Sequence, residues 1–113
     1  MTLPRIHRLG GRGIKILFKR SRVVSSDAAL LRFVRRPELP FSRFAVVISR
    51  RVARKSAERN RLRRRAGGWL RERLPGIQGG FDAALILREK ASGLSRRDFY
   101  SALEGLFKKT PLL

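Results

Sequence analysis

The sequence predicts an α+β sandwich, helices packed on a four-stranded sheet, from three observations. The chain has 113 residues and is 42% hydrophobic, enough for one compact domain with a single core and too short for two. Apolar residues at helical spacing and short β-branched runs follow one another as helix, three strands, helix, strand, helix. The most basic stretch, "RRVARKSAERNRLRRRAGGWLRERL" from 50 to 74, still carries an apolar stripe, so it reads as a helix with a core side. Residues 1–113 therefore form one domain, with 1–7 and 110–113 expected as flexible tails.

The first helix rests on Ile14, Leu17 and Phe18 at i, i+3, i+4, with Ile6 and Leu9 as an extension that Gly10, Gly11 and Gly13 weaken. In "RVVSSDAALLRFV", Ser25, Ser26 and Asp27 favour a turn, which divides the segment into strands at 22–25 and 28–34. After the Pro-punctuated loop "RRPELP", "FSRFAVVIS" is rich in β-branched and aromatic residues and predicts a strand from about 43 to 49. Ser56 is placed to cap the basic helix, with Glu58 in its first turn. Leu62, Ala66, Trp69 and Leu70 form its apolar face; Asn60, Arg64, Gly67 and Arg71 fall opposite, flanked by Arg61 and Gly68. "LPGIQGG" ends that helix, "FDAALILR" gives the fourth strand, and Ser95 with Asp98 resembles a capping box for a last helix. Its buried stripe is Phe99, Ala102, Leu103, Leu106 and Phe107.

Charge bounds the function. Twenty-eight Lys and Arg against eight Asp and Glu give a formal charge of +20, which repels itself in a compact state and implies a polyanionic partner. Without cysteine there are no disulfides or thiolate zinc sites, and no apolar run approaches membrane-spanning length, so the chain reads as soluble and cytoplasmic. The acidic residues are dispersed with no D-x-D, E-x-x-H or H-x-H spacing, and His7, the one histidine, reads as an ordinary surface residue in a tail. "GGRG" at 10–13 lacks the Lys and Ser/Thr of a nucleotide loop. No catalytic residue, metal site or side-chain-bound cofactor is expected, and the chemistry is assigned to a partner.

The basic helix points to that partner. Between 50 and 73 only Glu58 and Glu72 oppose eleven cations, most of them Arg, whose planar fork grips phosphate at two points and stacks on bases. A membrane-surface helix would need an exposed apolar face, and this stripe is claimed by the core.

"ERNRLRRR", with Arg59, Asn60 and Arg61 at its heart, resembles the RNR signature of the bacterial ribonuclease P protein subunit family. "FAVVISRRVARKSAERNR" is similar to the family's strand and loop into the RNR helix, with Ser49, Arg50 and Arg51 in its Ser-Lys-Lys places. "FDAALILREKASGLS" with "DFYSALEGLFKK" resembles its last strand, Arg-rich turn and terminal helix, and "GIKILFKRS" its first helix, so the resemblance covers about residues 8 to 109. It implies a mixed sheet with a left-handed βαβ crossover, ribosomal protein S5 domain 2-like. It also implies a subunit that binds the catalytic RNA and the 5′ leader of precursor tRNA and assists RNA-catalysed removal of that leader, with Mg2+ held through the RNA and no obligate protein partner.

By the same resemblance, Arg59, Asn60, Arg61, Arg63 and Arg64 dock on the ribozyme RNA, and Arg50, Arg51, Arg54 and Lys55 add phosphate contacts. Phe18 would line the leader cleft, with Ile14 in place of the family's first phenylalanine and Arg32 in place of a tyrosine, which shifts leader binding from stacking toward charge. Phe18 is alternatively a core residue. "RRAGGW" also departs from the family: Gly67 and Gly68 either leave the outward half of the helix bare for an RNA backbone or break the helix at Gly67. The competing functions are a small basic ribosomal protein binding rRNA and a DNA-binding or chromatin protein.

Overall fold

A computed structural model describes residues 3–113. Three helices, α1 (Gly11–Lys19), α2 (Ser56–Arg73) and α3 (Arg96–Phe107), accompany four strands, β1 (Arg22–Ser25), β2 (Ala29–Arg35), β3 (Arg43–Val47) and β4 (Phe81–Leu87). Short 3-10 turns occupy Arg5–His7, Leu74–Gly76 and Glu89–Gly93. The sheet order is β1-β2-β4-β3, with β1, β2 and β4 antiparallel and β3 parallel to β4. A parallel neighbour cannot be reached by a tight turn, so α2 lies in the crossover from β3 to β4. The α+β sandwich is as expected, and the last strand inserts between the second and third.

Strand alternation sorts the sheet into two faces. On one, Leu31, Leu85 and Val46 stand in register, as do Phe33, Ala83 and Phe44. Leu62, Ala66, Trp69 and Leu70 of α2 and Phe99, Leu103, Leu106 and Phe107 of α3 close over this face in one buried cluster. Trp69 and Phe107 meet with ring centroids 4.8 Å apart. Burying each large side chain here contributes about 1.5–3 kcal/mol, which offsets the low intrinsic preference of a helix containing Gly67 and Gly68. The helix runs unbroken through both glycines.

The opposite face receives α1. Across one register row stand Val23, Arg32, Ala84 and Ala45, and the two alanines leave room for Leu17, which is fully buried with Leu9 and Ala84. The next row, Ser25, Leu30, Ile86 and Val47, has three half-buried apolar members outside that cluster and forms an open floor beside α1.

At the far end of the same face sits Asp82, 2% exposed. Arg43, its partner across the parallel pairing, donates through Nε and Nη2 to its two oxygens at 2.8 Å each, and Arg36 Nη1 adds a third bond at 3.1 Å. The bond to Asp82 is the main cause that raises the Arg43 pKa above its ordinary value. The loop entering β4 needs its glycines: Gly80 has φ 84°, and a Cβ on Gly79 would lie 2.5 Å from the Pro40 carbonyl oxygen. Gly79→Ala is therefore expected to destabilise the fold by about 1–3 kcal/mol through overpacking, read as a lower urea midpoint at unchanged slope.

Several expectations are corrected. Residues 1 and 2 of the expected amino-terminal tail lie outside the described residues, but Leu3 is buried and His7 is half-buried, its Nδ1 2.8 Å from the Ser42 carbonyl oxygen and its ring edge-on to Phe41. The expected carboxy-terminal tail carries Leu112 into the core at 0% exposure, where its carbonyl accepts from Gln78 N at 2.9 Å. Both ends supply apolar surface that a small core would otherwise lack. Ile6 does not extend α1: it lies in a 3-10 turn and is 58% exposed. Ser56 does not cap α2 but begins it, because Lys55 holds the flanking extended position without a side-chain cap. Ser95 does cap α3, accepting from Asp98 N at 3.1 Å.

Candidate nucleic-acid interface

The burial of Leu62, Ala66, Trp69 and Leu70 fixes the rotation of α2 and turns Asn60, Arg61, Arg63, Arg64 and Arg71 to solvent. Three other arginines of the helix are partly engaged by the protein. Arg59 Nη1 donates to the carbonyls of Ala53 and Arg54 at 2.9 and 2.7 Å and ties the basic loop to the first turn. Arg65 Nη1 donates to the Leu94 carbonyl at 2.9 Å with its guanidinium 5.8 Å from the Phe99 ring centre, and Arg73 pairs with Glu104 at 2.7 Å. Among the described residues, Arg73 is the one basic residue of α2 that meets a carboxylate within 4 Å. The ridge therefore keeps its charge.

Arg50, Arg51, Arg54 and Lys55 are exposed on the loop before α2, Arg51 3.7 Å from Glu89, which is also exposed. Such a surface pair contributes at most about 1 kcal/mol and leaves Arg51 free to exchange partners. The loop is short and held at both sides, by Arg59 and by Val52 and Ala53, which are buried. The nine residues expected to face RNA thus lie along one loop and one helix.

The three residues expected at a second surface also come together. Phe18 is 48% exposed on α1, so it is not core, and the Arg32 guanidinium lies 5.1 Å from its ring centre. Arg32 Nη1 donates to Ser21 Oγ at 3.3 Å, and its Nε is buried without a partner among the described residues. Ile14, one turn before Phe18, is half-buried against the cluster of Leu9, Leu17 and Ala84. The sequence reading missed the floor beside them, Leu30, Ile86 and Val47; the alternation of β2, β3 and β4 held the signal, but only the register puts the three in one row.

A cavity of about 530 Å³ links the two surfaces, lined on one side by Leu9, Ile14 and Ala45 and on the other by Asn60, Arg63 and Arg64. Gly67 lines it too, with Leu3 and Arg8 of the amino-terminal segment, and is buried where an outward position was expected.

An α+β sandwich with an unneutralised arginine helix on one side and an aromatic-edged cleft on the other defines a small RNA-binding protein. A family model described as Ribonuclease P matches residues 3–111, and the chain belongs to that family. It is 34% identical to the ribonuclease P protein component of Synechococcus elongatus, over 100% of this chain and 97% of the relative, and 32% identical to that of Microcystis aeruginosa, over 100% and 98%. The solved ribonuclease P protein of Thermotoga maritima superposes with a TM-score of 0.82 at 25% identity, covering 91% of this chain and 96% of that one. The Staphylococcus aureus ribonuclease P protein shares the fold, with a TM-score of 0.87 at 16% identity over 94% and 96%. The protein is a component of the ribonucleoprotein that processes tRNA, and none of these relatives supports a ribosomal role.

Proposed function

We propose that the protein docks on the ribonuclease P RNA through Arg50, Arg51, Arg54, Lys55 and the α2 ridge, and holds the 5′ leader of precursor tRNA between α1 and the sheet. Cleavage in this cytoplasmic particle is carried out by the RNA. Mg2+ enters the particle through the RNA.

The observation that carries the leader site is the half-exposed Phe18 ring under Arg32, at the edge of a sheet face whose floor is apolar. Unstacked bases find an aromatic ring and a planar guanidinium there, both indifferent to base identity, as a leader of varied sequence requires. Ile14 supports the cleft wall by packing and offers no ring of its own.

The test is cleavage by the reconstituted holoenzyme at low magnesium. Protein should stimulate the RNA, and Phe18→Ala should weaken a precursor with a long leader by about tenfold, the loss of roughly one stacked base, while sparing one with a single-nucleotide leader. Equal losses on both substrates would remove the leader from this cleft.

A further inference from the structure

Gly68 is not explained by either surface. The glycine costs α2 about 1 kcal/mol relative to alanine, and it faces neither the core cluster nor the cavity that Gly67 borders. It lies instead in a groove of about 620 Å³ between α2 and α3. Arg61, Arg64, Arg65 and Arg71 line the α2 side, Arg96 and Tyr100 the α3 side. Glu72 is the one carboxylate among the lining residues, so the groove is strongly positive.

Gly68 is part of its floor. A Cβ there would come within 3.2 Å of Tyr100 Oη, so a larger residue would displace Tyr100 or fill the groove. Arg96 is held over Tyr100 by two contacts, its Cζ 5.2 Å from the ring centre and its Nη2 donating to Oη at 3.3 Å. An exposed guanidinium laid on a ring is a preoriented plane on which a nucleobase can stack. Arg61, Arg64 and Arg71, spaced at three and seven residues along α2, follow a line that a phosphate backbone can track.

We propose that the α2–α3 groove is a second seat for the ribonuclease P RNA, in which a strand runs its phosphates along Arg61, Arg64 and Arg71 and stacks a base on Arg96. The seat extends the RNA interface from one helix to two and gives α3 a role beyond covering the sheet. Arg64 borders both this groove and the cavity on the other side of α2, so the helix acts as a ridge with RNA on either flank. The occupant is the RNA subunit and not the leader, because the groove belongs to the helices on the sheet face opposite α1. The proposal rests on the reading that α2 faces RNA.

The test compares Arg96→Ala with Arg97→Ala. Both remove one exposed charge from the first turn of α3, but Arg97 does not line the groove. Binding of full-length protein to ribonuclease P RNA is measured across salt concentrations. Arg96→Ala should weaken it about five- to tenfold, and Arg97→Ala less than about twofold. Gly68→Gln, with its melting temperature measured alongside, should weaken binding by a similar factor without unfolding the protein. Equal effects of Arg96→Ala and Arg97→Ala, or none from Arg96→Ala while the α2 ridge variants still lose affinity, would overturn the groove alone. If the ridge variants were silent as well, the reading of α2 itself would fall. A loss for Arg96→Ala that scaled with leader length in the assembled holoenzyme would make the groove a substrate site and reject the proposal.

Discussion

Replacing Arg61, Arg63 and Arg64 together with alanine is expected to lower affinity for the ribonuclease P RNA by about a hundredfold at ~0.15 M salt. All three are exposed, and none has a carboxylate partner among the described residues. Each phosphate contact releases about 0.9 of a counterion, so each contributes roughly 0.7 log unit at that salt and the three together about two. The slope of log affinity against log salt should become shallower by about 2.7, because the same contacts set both quantities. Filter binding at four or five salt concentrations reads both. Arg73→Ala provides the contrast, since that side chain is paired with Glu104 at 2.7 Å and lines neither the groove nor the cavity. Its loss should appear mainly in the melting temperature. A triple variant with unchanged slope would mean that the ridge points away from RNA in the particle.

Asp82→Ala should be the most destabilising single substitution on the surface of the sheet that carries α1. Three charge-assisted hydrogen bonds converge on this carboxylate, and its removal leaves Arg36 and Arg43 facing each other in a chain already at +20. Both arginine side chains are about one-third exposed, so water recovers part of their solvation and the cost falls to the low end of that for a broken buried pair, about 2–3 kcal/mol. For a chain of this size the melting temperature should drop by about 10 °C. The double variant Asp82→Ala, Arg43→Ala should recover part of that loss, and calorimetry on the four proteins of the cycle measures the coupling. A drop of under about 2 °C would mean that the cluster is solvated in solution.

The elements of the fold were legible because each carries its own local cause. Leu62, Ala66, Trp69 and Leu70 recur at helical spacing whatever they pack on, Ser95 caps α3 through a bond three residues away, and Gly-rich and Pro-rich breaks end strands without outside help. The outward face of α2 followed from the same periodicity, apart from Gly67, which is buried at a cavity that Leu3 and Arg8, some sixty residues earlier, also line. Leu112 looked like tail because its partners lie elsewhere in the sequence.

The candidate site divides along the same line. Arg61, Arg63 and Arg64 are exposed wherever the apolar stripe is buried, so their position depends on α2 alone. The amino-acid order alone therefore determined a basic RNA-binding α+β protein and the helix that presents its charge, because charge and 3.6-residue periodicity are local properties. Only the folded chain decided that Phe18 meets Arg32, that Asp82 is clasped by Arg36 and Arg43, and that Arg96 and Tyr100 face the arginines of α2. Those contacts join residues from 14 to 46 positions apart, and strand order, register and helix packing bring them together, none of which is written in any short stretch of sequence.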